Sequence, residues 1–280
     1  MPKWNFIIDL ARCENCNNCL LTNKDEYVDN TFEGYSLPQP RHGHKWIQIT
    51  TRERGSGSLI STKYLVTFCN QCDLAPCMSA ARDNAVIKRA DGIVLIDPVK
   101  AKGQKQIVDA CPYGQIFWNE EYNVPQKWSW DAHLLDQGWS SPRSEQVCPT
   151  SSLAAVKCSD EEMLAEAAKK RLERLKPELN TKPRVWYKNL HLFTKEFIAG
   201  SIARVENGVE DNVKGASVIL KKDGKDIAGQ TTDYFGDFKF DGLDADSGEY
   251  EFLVTSSSNK VKSFKHKLEK SVYLGALRIE

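Results

Sequence analysis

The sequence carries no excess of charge of either sign: 38 Lys and Arg stand against 38 Asp and Glu. No overall field therefore favours nucleic acid or an anionic membrane surface, and partners must be recognised at local sites. Long apolar runs are also missing. No stretch of about 18 apolar residues occurs, so no membrane anchor is expected. The opening MPKWNFIIDLARC has an apolar run cut short by Asp9 and Arg12, with no twin-arginine pair before it. That does not fit a secretory signal, and a cytoplasmic location is the expectation. Beyond residue 158 there is no cysteine; all nine lie at or before it, which confines thiol chemistry to that part of the chain. In a reducing compartment, nine thiols argue for metal or cluster binding over disulfides.

A chain of 280 residues is long enough for two domains with separate cores. From Ser159 the pattern changes. SDEEMLAEAAKKRLERL has a capping box, Ser159 with Glu162, and Met163, Leu164, Ala167, Ala168, Leu172 and Leu175 on one stripe. It predicts an amphipathic helix of about four turns, ended by Pro177. KPELNTKPRVWYKNLHLF is too proline-interrupted for a helix and reads as an extended tether lying on another surface. From about Ile198, short alternating runs are separated by turn signals, among them Asp223-Gly224 and the alternating Phe238 and Phe240. About seven short strands at this spacing predict a β-sandwich. Through TTDYFGDFKFDGL the segment resembles the transthyretin-like or carboxypeptidase-regulatory-like module, which implies a structural or docking role.

The chemistry begins at ARCENCNNCLLTNKDE. Cys13, Cys16 and Cys19 have the spacing of a ferredoxin run, C-x2-C-x2-C-x3-C, but Asn23 holds the fourth position. Further along come CNQCDLAPC with Cys69, Cys72 and Cys77, then ACPYG with Cys111 and QVCPT with Cys148. In two-cluster ferredoxins three cysteines of a run bind one cluster, while the fourth, followed by Pro, binds the other. Two triplets need two distant Cys-Pro partners, and the sequence supplies them. The count closes at eight ligands for two 4Fe-4S clusters. Structural zinc sites are the alternative, but zinc ribbons usually supply two knuckles, which a triplet plus a lone Cys-Pro fits poorly. Cys158 is unmatched and is expected to pack at the start of the helix.

Together with RHGHKW, ADGIVLIDPVKAKG, CPYG, FWNEE, AHLLD and KPELNTKPRVWYKNL, these motifs make the whole chain resemble one family. It is the iron–sulfur subunit family of molybdopterin oxidoreductases related to dimethyl sulfoxide reductase. Within it the likeness is greatest to subunits of enzymes that hydroxylate or transhydroxylate benzenetriols and benzenediols. The full family pattern has four cysteine groups in two ferredoxin-like halves. Laid on that pattern, Cys13, Cys16, Cys19 and Cys148 form one ligand set, and Cys69, Cys72, Cys77 and Cys111 another. Asn23, Trp128, Asp131 and Ser144 stand where a third set would be; Ala81, Ala101, Gln104 and Ile107 stand where a fourth would be. Scattered loss of half the ligands would leave two intact sets in only roughly one arrangement in two thousand, counted over the crossed rule. Whole clusters have been removed.

The resemblance implies an α+β chain: a ferredoxin-like 4Fe-4S domain at 1–158, a helix and tether at 159–197, and an all-β sandwich at 198–280. It implies an electron-transfer and docking subunit with no active site of its own. The partner would be a large catalytic subunit carrying a molybdenum bis-pterin guanine dinucleotide. The set containing Cys148 would lie nearer the molybdenum, with at least one vacated site between it and the other. A purely structural role for redox-silent clusters is the alternative. Trp128 and Trp130 are expected to plug the emptied volume, and His42, His44 and His133 to be structural. The loop NTFEGYSLPQPRHGHKWIQIT and the tether around Trp186 and Tyr187 are the expected contacts with the large subunit.

Overall fold

The computed structural model describes residues 1–206, 208–256 and 260–279. They form two compact units, Met1–Thr51 with Tyr64–Leu190, and Arg52–Lys63 with His191–Glu280. Strands dominate and helices are short.

In the first unit the strand Lys3–Asp9 buries Trp4 through Ile8 without alternation, as a strand covered on both faces should. It pairs antiparallel with Leu153–Cys158, Phe6 opposite Ala155, and parallel with Val185–Lys188, Phe6 opposite Val185. The segment expected to be an extended tether lying on another surface is extended, and its residues Val185–Lys188 form a strand of this sheet. Val185, Trp186 and Tyr187 are buried, and the Tyr187 hydroxyl donates to the Val66 carbonyl at 3.0 Å. An extended run rich in aromatic and branched side chains satisfies its backbone and buries its rings only by joining a sheet.

The helix is also shorter than its sequence pattern predicts. It spans Asp160–Lys170, three turns, and starts at the expected capping box: Glu162 N–H donates to Ser159 Oγ and Ser159 N–H to Glu162 Oε2. It ends at Arg171, in left-handed conformation, where Leu172 N–H reaches back to the Ala167 carbonyl at 2.8 Å. This Schellman-type closure stops the helix well before Pro177. Met163, Ala167 and Leu172 pack with Ile7 and Trp186, while Leu164 and Ala168 face solvent. Two small hairpins, Val86–Lys88 with Val94–Ile96 and Phe117–Asn119 with Val124–Gln126, complete the frame around the cysteines.

The second unit has two four-stranded sheets. In one, Glu196–Glu206 pairs with Val209–Asn212 and Asp237–Leu243 antiparallel and with Val272–Arg278 parallel. In the other the order is Lys225–Thr231, Ser217–Lys222, Gly248–Thr255, Val261–Leu268, all antiparallel. Alternating residues of both sheets, including Ile198, Val218, Phe238, Phe240, Phe252 and Leu268, share one apolar core. Asp223 and Gly224 both take positive φ at the tight turn between Ser217–Lys222 and Lys225–Thr231, which that turn type demands. Arg54 forks onto Asp241 at 2.9 and 3.2 Å and lies over the Phe197 ring.

Candidate metal centres

All nine cysteines are free thiols, and eight of them line two cavities in the first unit. Cys13, Cys16, Cys19 and Cys148 surround one, walled by Ile49, Val66 and Leu153. Asn15 and Asn17, at φ 55° and 62°, coil the triplet loop, and Asn is the residue after Gly that best tolerates this conformation. Cys19 falls in the first turn of the helix Asn18–Tyr27, and Cys148 follows the short helix Arg143–Gln146. Thus a residue 129 positions downstream completes the first quartet.

Cys69, Cys72, Cys77 and Cys111 surround the other cavity, walled by Val94, Ile116 and Tyr113. Gln71 at φ 47° coils this loop, Cys77 opens the helix Pro76–Ala80, and Cys111 follows Gln106–Asp109. Gln115 N–H points at Cys111 Sγ at 3.4 Å. The structure thus brings together each expected quartet and leaves Cys158 outside both cavities.

The donor chemistry fits an iron–sulfur cluster. Burial pushes the thiols of Cys19 and Cys72 up to about 12 and that of Cys77 to about 11, and neighbouring thiols push the same way. Four such groups cannot ionise together unless positive charge enters the cavity, which a cluster's iron provides. Among the described residues, no three His, Cys, Asp or Glu converge on a single-ion position. Sulfurs spread around a cavity suit a cluster better than one zinc ion at about 2.3 Å from each sulfur.

The positions that the resemblance reads as vacated are occupied by packed side chains. Asn23, Trp128, Asp131 and Ser144 are all buried. Trp128 Nε1–H and the Tyr27 hydroxyl both donate to Asp131 Oδ1, at 2.7 and 3.0 Å, and Arg143 N–H donates to Oδ2 at 2.9 Å. Trp128 and Trp130 pack edge-on or tilted against Phe6 and Phe68, and Trp130 Nε1–H donates to the Cys69 carbonyl at 3.1 Å. On the other side, Ala101, Ile107 and the partly buried Ala81 join one apolar cluster with Cys72 and Cys77. Gln104 accepts from Arg82 N–H at 2.8 Å and donates to the Lys100 carbonyl at 2.8 Å.

His133 stacks on Phe32 at 3.8 Å with Nε2 2.8 Å from Glu26, and His44 contacts the Trp118 carbonyl; His42 is exposed. Trp186 and Tyr187 belong to the core of the first unit, so they cannot serve as the expected surface for a large subunit. In the loop 30–50, by contrast, Asn30, Thr31, Glu33 and Arg41 through Gly43 are exposed. Sequence reasoning missed Tyr27, Gln71 and Lys127. Gln71 sits between Cys69 and Cys72, and the lysine inside VPQKWSW, next to Trp128, is the one signal that could have drawn attention to Lys127.

Residues 60–158 match the family described as the 4Fe-4S dicluster domain. The pyrogallol hydroxytransferase small subunit of Pelobacter acidigallici is 42% identical over 100% of both chains. A tetrathionate reductase subunit of Salmonella typhimurium is 28% identical over 67% of this chain and 73% of that one. The putative dimethyl sulfoxide reductase iron-sulfur subunit of Halobacterium salinarum is 31% identical over 49% and 54%. The chain, with its ferredoxin-like cluster domain, belongs to the iron–sulfur electron-transfer subunits of the molybdopterin oxidoreductases related to dimethyl sulfoxide reductase.

Proposed function

We propose that this subunit holds two 4Fe-4S clusters, one on Cys13, Cys16, Cys19 and Cys148 and one on Cys69, Cys72, Cys77 and Cys111. Its partner would be a large subunit whose molybdenum bis-pterin guanine dinucleotide hydroxylates or transhydroxylates a benzenetriol or benzenediol. The observation that carries the cluster count is the closure of each quartet around its own cavity while both alternative sets are filled by packed side chains. When bound, a cluster supplies one-electron storage; the chain supplies thiolates, an apolar wall and backbone N–H groups such as that of Gln115. The phenolic substrate class rests on full-length likeness to a pyrogallol hydroxytransferase subunit. The strands from Glu196 onward, read as a transthyretin-like sandwich, and the exposed loop 30–50 are the docking candidates, in a cytoplasmic heteromer.

Anaerobic co-purification with the large subunit tests this reading. The expected result is about eight iron and eight acid-labile sulfide per chain, little zinc, and turnover of benzenetriols or benzenediols. A count of about twelve iron overturns the cluster assignment. Cluster potentials far below any substrate or acceptor couple would favour a purely structural role.

A further inference from the structure

Lys127 is buried, 5% exposed, and among the described residues no carboxylate stands within ion-pair distance of it. Its ammonium donates to the Val94 carbonyl at 2.5 Å and lies 3.4 Å from Gln71 Oε1. Val94 and Gln71 both form the wall of the cavity lined by Cys69, Cys72, Cys77 and Cys111. The other cation beside that loop is balanced: Lys88 donates to the Gln71 and Cys72 carbonyls but also pairs with Asp73. A buried ammonium with only neutral acceptors is costly unless negative charge lies close by. Four thiolates around an iron–sulfur core carry net negative charge, and this cavity is where that charge would sit.

The first cavity is the reverse case. The one charged side chain among its lining residues is Glu14, which is exposed. Glu14 thus puts an exposed, water-screened negative charge at the first cavity, whereas Lys127 puts a buried positive one beside the wall of the second.

We infer that Lys127 is the residue that sets the redox order of the subunit, holding the cluster of Cys69, Cys72, Cys77 and Cys111 at a higher reduction potential than that of Cys13, Cys16, Cys19 and Cys148. The step this drives is transfer of one electron: the first cluster is oxidised by one as the second is reduced by one, with no bond made or broken. With both clusters bound, an electron would favour the second over the first. The inference rests on the two-cluster reading above.

The experiment is an anaerobic redox titration of the full-length subunit in its heteromer, monitored by electron paramagnetic resonance, for wild type, Lys127→Met, Lys127→Arg and Glu14→Gln. Lys127→Met should lower one midpoint by at least about 59 mV, a tenfold change for a one-electron couple, and leave the other in place. Lys127→Arg should restore it. Glu14→Gln should raise the other midpoint by less, which assigns that signal to the first cluster. A Lys127→Met protein that keeps about eight iron but shifts neither midpoint, or both equally, overturns the inference and leaves the two-cluster reading standing. If Lys127→Met loses iron, the wild-type order still decides: the signal unmoved by Glu14→Gln must be the higher one. About four iron in wild type would instead sink the two-cluster reading.

Discussion

Around Trp128 the interior is filled by large rings and hydrogen bonds; around Ala101 it is filled by small apolar side chains. In the first half, Asp131 collects donors from Trp128, Tyr27 and the Arg143 backbone, and the indoles lean on Phe6 and Phe68. Among the described residues, the Asn23 amide and Ser144 hydroxyl are left buried without a hydrogen-bond partner. Around Ala101, Ala81 and Ile107 pack with it into one apolar cluster, and Gln104 satisfies its own amide on Lys100 and Arg82. One closure depends on a few large groups in fixed geometry, and the other spreads over small ones. The first should be brittle and the second tolerant.

Ligand removal is the largest test of whether the halves are independent. Cys148→Ser should release about half the iron and spare the other cluster, and Cys111→Ser should do the converse. Iron and sulfide analysis with paramagnetic resonance checks this; loss of both signals from either change would show that the halves are coupled.

The plugs come next. Trp128→Ala should destabilise by about 3–5 kcal/mol, whereas Ile107→Val should cost only about 0.5–1.5 kcal/mol. Anaerobic thermal unfolding compares the two, and equal shifts would erase the contrast between brittle and tolerant closure.

Asp131 adds a pH signature to the first half alone. Burial, outweighing the hydrogen bonds from Trp128, Arg143 and Tyr27, pushes its carboxyl above the ordinary 3.8. The folded state then binds more protons than the unfolded one just above that value, so stability falls as pH rises through the window between the ordinary and the raised pKa. Asp160 slopes the other way: hydrogen bonds from Lys3 and Arg184 hold it at about 2, and the stability it gives is lost as pH falls from 3.8 toward that value. Asp131→Asn should flatten the first slope and cost about 1–3 kcal/mol, because an amide N–H would face the Arg143 N–H. Unfolding followed from pH 4 upward should show the slope in wild type and its absence in the variant.

The thiols, the capping box and the Asp223-Gly224 turn are legible in the sequence because each is a local pattern with a local cause. What escapes is set by distant partners. Nothing within KPRVWYK names the strand it joins, since Val185 pairs with Phe6 from the opposite end of the first unit's chain segment. The helix stops earlier than its apolar stripe implies because Arg171, without glycine's freedom, takes the left-handed position that closes it. Lys127 reads as an ordinary surface lysine until Val94 and Gln71 are folded around it. The quartets are legible, but the groups that tune them are not.

The smallest expected effect belongs to Cys158, which lies outside both cavities and so serves as the control for the comparison. It ends the strand Leu153–Cys158 opposite Lys3, at the margin of the cluster formed by Ile7, Met163 and Trp186. No other thiol lines a cavity with it, and its contribution is packing. Cys158→Ser exchanges a soft sulfur for a hydroxyl at a partly exposed site, a change expected to stay within about 0.5 kcal/mol of wild type. Iron content and both paramagnetic signals should be unchanged. If iron falls in this variant, Cys158 is serving in place of one of the eight assigned thiols, and the division of the unit into two self-contained halves is wrong.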